Sequence, residues 1–90
     1  MLNFPAELTN LQATALLQQL GAQLTAETGA ELVVDARAME RFDSSALAVL
    51  LQLRRDALTQ GKTFSVKGLP QRLRELAGLY GVADLLTAAA

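Results

Sequence analysis

Residues 31–51 read ELVVDARAMERFDSSALAVLL, and this stretch decides the fold. It opens with Glu31-Leu32-Val33-Val34-Asp35, short, β-branched and apolar at three successive positions. That composition fits a strand covered on both faces inside a parallel sheet, so 31–35 is read as the central strand. Ala36 to Phe42 reads as an irregular connection with Phe42 as its buried anchor. Asp43-Ser44-Ser45 then supplies short oxygen-bearing side chains of the kind that satisfy the free N–H groups of a helix start. A helix is predicted from near Ser44 to Gly61. Its first half, Ala46-Leu47-Ala48-Val49-Leu50-Leu51, is apolar all round, whereas Arg54, Arg55, Asp56 and Gln60 make the second half a solvated helix. Such a segment needs sheet on one side and a second cover on the other, and a 90-residue chain has little further mass to provide it. Part of this apolar surface is therefore expected to meet a partner.

Working outward toward the N-terminus, Thr9 followed by Gln12 has the form of a capping box. Leu16, Leu17, Leu20 and Leu24 recur at helical spacing, with Gln12, Gln18, Gln19 and Gln23 between them, so an amphipathic helix is predicted over about 10–27, ended by Gly29. Leu2 to Leu8 reads as an edge strand, because Pro5 cannot donate to a sheet ladder. Toward the C-terminus, Lys62 to Lys67 alternates, with Phe64 and Val66 on one face and Thr63, Ser65 and Lys67 on the other, as in a half-buried strand. Gly68-Leu69-Pro70 makes a turn into a third helix, whose core stripe is Leu73, Leu76, Ala77 and Tyr80 and which Gly81 terminates. Val82 to Leu86 reads as a short last strand or a helical turn. Strands and helices alternate throughout. The expected fold class is therefore α/β, one domain over 1–90, with a mostly parallel sheet, right-handed crossovers and helices packed on the sheet.

Composition removes whole classes of function. The 90 residues contain neither cysteine nor histidine, which excludes thiol nucleophiles, disulfide frameworks, zinc fingers and any triad that uses an imidazole base. The longest apolar run is Ala46 to Leu51, far short of the roughly 20 residues a membrane-spanning helix needs. The start, Met1-Leu2-Asn3-Phe4-Pro5, has no basic region and is followed by Glu7, unlike a secretory signal, so a cytoplasmic location is expected. Residues 1–36 hold four acids and no base, and from Arg37 onward eight bases face five acids. This bias is weaker than the dense basic stripe nucleic-acid binding uses, and no nucleic-acid partner is expected. No glycine pattern matches a phosphate-binding loop, so no nucleotide cofactor is expected. Asp35, Glu40 and Asp43 lie near the carboxyl end of the central strand, but without metal-ligand spacing they read as solvated loop acids, and no metal is expected.

The remaining candidate site is Phe42-Asp43-Ser44-Ser45-Ala46-Leu47. Its plain reading is helix capping. The functional alternative is a docking or phosphoacceptor hydroxyl at Ser44, where a phosphate would add about −1.5 to −2 charges beside an apolar contact surface. The expected partner surface comprises Asp43, Ser44, Ser45, Leu47, Ala48, Val49 and Leu51. No catalytic residue is expected, since carboxylates, Tyr80, lysines and arginines are present without an arranged nucleophile.

At this cluster the chain resembles the STAS family, named for sulfate transporters and anti-sigma factor antagonists. Glu7-Leu8-Thr9 is similar to the end of the family's early strand, Leu32-Val33-Val34-Asp35 to its buried strand, and Asp43-Ser44-Ser45 to its Asp-Ser-Ser/Thr-Gly signature. Ser44 stands at the position matching the family's phosphorylated residue. Ala46 stands where most members carry glycine, and the N-terminal hairpin strand before Leu2 is missing or shortened. Lys67-Gly68-Leu69-Pro70, Leu73, Leu76-Ala77, Leu79-Tyr80-Gly81-Val82 and Leu85 are similar to the STAS subunits of Mla-type ABC transporters, which move phospholipid between Gram-negative membranes. The resemblance implies a STAS-like fold and a noncatalytic cytoplasmic subunit that binds the transporter's ATPase subunit at the inner face of the inner membrane. The alternative it implies is an anti-sigma factor antagonist that binds a serine kinase and is switched at Ser44.

Overall fold

The computed structural model describes residues 2–26 and 29–86. In chain order its elements are β1 (Leu2–Asn3), β2 (Glu7–Leu8), α1 (Ala13–Ala26), β3 (Glu31–Asp35), β4 (Arg41–Phe42), α2 (Ser45–Thr59), β5 (Thr63–Lys67) and α3 (Gln71–Leu79), followed by a 3₁₀ turn at Ala83–Leu85. The fold class is α/β, as expected. One sheet has the order β1-β3-β5 and a second, two-stranded ladder pairs β2 with β4; all of these pairings are parallel. The strand at 31–35 is central and β1 lies at an edge, as expected.

Register explains the core. Leu32 lies opposite Phe64, Val34 opposite Val66, and Leu2 opposite Val34, so these side chains share one sheet face. They join Leu20 and Leu24 of α1, Leu50 and Leu53 of α2, and Leu73 and Ala77 of α3 in one buried cluster. The opposite face is only half-covered, because Val33 and Ser65 are of intermediate burial. This corrects the reading of 31–35 as a strand covered on both faces: three successive apolar residues here serve a sheet with its helices on one side.

Other differences have local causes. Pro5 divides the expected single strand 2–8 in two, and the segment 36–42 expected to be irregular contains β4, which pairs with the second half. Two-residue strands carry no readable periodicity. Glu40 and Arg41 N–H both donate to the Ala6 carbonyl, at 2.8 and 2.9 Å, which ties this small ladder to the chain before β2. Tyr80, expected in the core stripe of α3, is 62% exposed, since α3 ends at Leu79 and the chain turns away at Gly81. Val82 to Leu86 takes the helical-turn option. Glu27, the last residue of the predicted first helix, lies outside the described residues. Lys62, read as the first residue of the half-buried strand, precedes β5 and is buried, and its ammonium donates to the Gly29 carbonyl at 2.5 Å.

Candidate functional site

Parallel pairing makes β2 and β4 end together, with Leu8 opposite Phe42. The next residues, Thr9-Asn10 and Asp43, are thereby brought side by side at the point where α2 begins. Asp43 uses both carboxylate oxygens there. Oδ1 accepts from Ser45 N–H at 2.8 Å, and Oδ2 accepts from Asn10 N–H at 3.2 Å, 33 positions away in the chain. The first bond is the main cause that holds the Asp43 carboxyl below its ordinary value of 3.8; partial desolvation opposes it and the Asn10 bond reinforces it.

This geometry corrects the capping reading of the serines. Ser44 already has helical backbone angles, φ −62° and ψ −16°, and its side chain makes no capping hydrogen bond. The carboxylate one position earlier satisfies the free N–H of Ser45, and the Asp43 and Ser44 carbonyls accept the first helical bonds, from Ala46, Leu47 and Ala48. The Ser44 hydroxyl is left on an exposed residue and Ser45 is half-buried.

The structure also divides the predicted partner surface. Ala48 is exposed and Leu51 half-buried, and with Ser44 they follow one another at helical spacing. Leu47 and Val49 are 3% and 2% exposed and belong to the core cluster. Both are withdrawn from the partner surface: α2 packs against α1 and α3 as well as β5, so the chain covers more of its circumference than one sheet face would. The apolar surplus predicted for 46–51 shrinks to Ala48 and the outer part of Leu51.

The turn before α1 adds Asn10 and Leu11, which sequence reasoning passed over. Gln12 Oε1 accepts from both the N–H and the hydroxyl of Thr9, at 2.8 Å each, and Gln12 Nε2 donates to Glu7 at 2.7 Å. Thr9 Oγ1 accepts from Leu11 N–H at 3.4 Å, so the predicted capping box forms in part, with the hydroxyl turned toward the Gln12 side chain. Glu7 also faces Arg41 at 3.6 Å. Leu11 sits at the apex of this bonded turn and is 85% exposed. The signal that would have flagged it is a leucine within a capping box, off the stripe formed by Leu16, Leu20 and Leu24.

Asp35, Glu40 and Asp43 are not brought together; among the described residues no three acids cluster as a metal site would require. Asp35 instead takes the Arg37 guanidinium in a two-point grip, at 3.0 and 2.8 Å, together with the Arg37 N–H. Those bonds hold its carboxyl down at about 2. Arg37 lies across Gly68, whose φ is +69°.

Among known families, the model described as "Mlab, STAS domain" matches residues 1–87. No curated protein matches the chain.

Proposed function

The chain belongs to the STAS domain family, of the kind described as Mlab, and from that premise we propose that it is a noncatalytic subunit that binds and supports the ATPase of an Mla-type ABC transporter. Its role would lie in phospholipid trafficking and outer-membrane lipid asymmetry. The observation that carries this reading is the division of labour at the start of α2. Asp43 caps the helix, so the exposed Ser44, Ala48 and the outer part of Leu51 form a stripe that the fold does not use. A small, slightly apolar stripe with a hydroxyl at one end suits contact with a folded protein surface. No helix among the described residues is long and apolar enough to cross a membrane. Association with the inner face of the inner membrane would therefore run through an MlaF-like ATPase partner.

The second reading, an anti-sigma factor antagonist switched at Ser44, is favoured by the uncommitted hydroxyl of that residue. The two readings separate in one experiment. The chain is co-expressed with the ATPase subunit or with a serine kinase of the anti-sigma type, captured by affinity, and weighed intact. Retention of the ATPase with unmodified Ser44, lost in Ala48→Arg, supports the transporter reading. Kinase binding that disappears when Ser44 carries phosphate supports the second and overturns the first.

A further inference from the structure

We draw no further inference here: the strongest candidate, the surface hollow of about 430 Å³ that Met39, Phe42, Pro70 and Arg72 line between β4 and the start of α3, has Arg41 on its rim already turned to Glu7, and nothing in the structure shows what fills it.

Discussion

Leu47, Ala48 and Val49 are consecutive in sequence yet face opposite worlds, and substitution at each separates folding from docking. Leu47 is 3% exposed within the core cluster. Leu47→Ala removes three carbon groups, worth about 0.8 kcal/mol each in lost transfer energy. The incompletely closed space left behind adds about 1 kcal/mol if roughly 40 Å³ remains, at about 24 cal/mol per Å³. The total is about 3–4 kcal/mol, a large part of the roughly 5–15 kcal/mol that holds a small domain together. At about 4–8 °C per kcal/mol for a domain of this size, the unfolding midpoint should fall by roughly 12–30 °C. Val49→Ala loses two carbon groups and should cost about 2 kcal/mol. Ala48→Arg, on an exposed position of the same helix, should stay within about 0.5 kcal/mol of wild type. Circular dichroism during heating and during urea titration reads all three. If Leu47→Ala melts with the wild type, or Ala48→Arg unfolds the chain, the division of α2 into an inner and an outer face is wrong.

The same experiments extend to the cap and the loops. Ser44→Ala should change stability by less than about 0.5 kcal/mol because its hydroxyl caps nothing, whereas Asp43→Ala should lower the urea midpoint clearly and Asp43→Asn only part of the way; equal effects at 43 and 44 would refute the assignment of the cap. Asp35 is held at about 2 against an ordinary 3.8, so its contribution is complete above about pH 4 and is lost as pH falls toward 2. A series of urea midpoints between pH 5 and 2 should show that loss, and Asp35→Asn should flatten it, with the Asp43 carboxyl contributing in the same direction. Gly68→Ala forces a side chain to φ +69° and drives its Cβ into Arg37 Cγ. It should cost about 1–2 kcal/mol from the backbone alone, with a further loss that Arg37→Ala in the same chain relieves; a double variant no more stable than Gly68→Ala would show that the contact is not the cause.

Periodicity and chain breakers carried the long elements into view. The leucine spacing in α1, the β-branched run of β3, the alternation of β5 and the glycines at 61, 68 and 81 each act within a few residues, and three positive-φ turns fall at those glycines. The sequence was silent where structure depends on distant partners. The ladder of β2 with β4 is two residues long and exists because the chain around Ala6 and Glu40 is held together by backbone bonds. The burial of Leu47 and Val49 likewise depends on where α1 and α3 settle beside α2, which no local pattern encodes. The core position of Leu73 and Ala77 was legible from spacing, whereas the exposure of Tyr80 follows from the helix stopping one residue earlier.

The site was legible as residue types and illegible as roles, for the same reason. An aspartate and two serines at a helix start have three oxygen-bearing side chains competing for few N–H donors, and composition does not say which one wins. The parallel register decides: once Leu8 lies against Phe42, the Asp43 carboxylate is within reach of the Asn10 N–H and the Ser45 N–H together, and a charged acceptor with two bonds outcompetes a neutral hydroxyl with one. The consequence reaches function. A hydroxyl committed to a cap could be modified or contacted only at the expense of the helix beneath it, whereas Ser44 is spared that conflict. The same carboxylate, by tying Asn10 to α2, also sets the turn that carries Leu11. Removing the carboxylate should therefore loosen the start of α2, where Ser44 and Ala48 stand exposed, so Asp43→Asn, which keeps an acceptor, should weaken ATPase binding less than Asp43→Ala. Equal losses of binding in the two variants, with both still folded, would place the contribution of Asp43 in its charge at the interface and not in the latch.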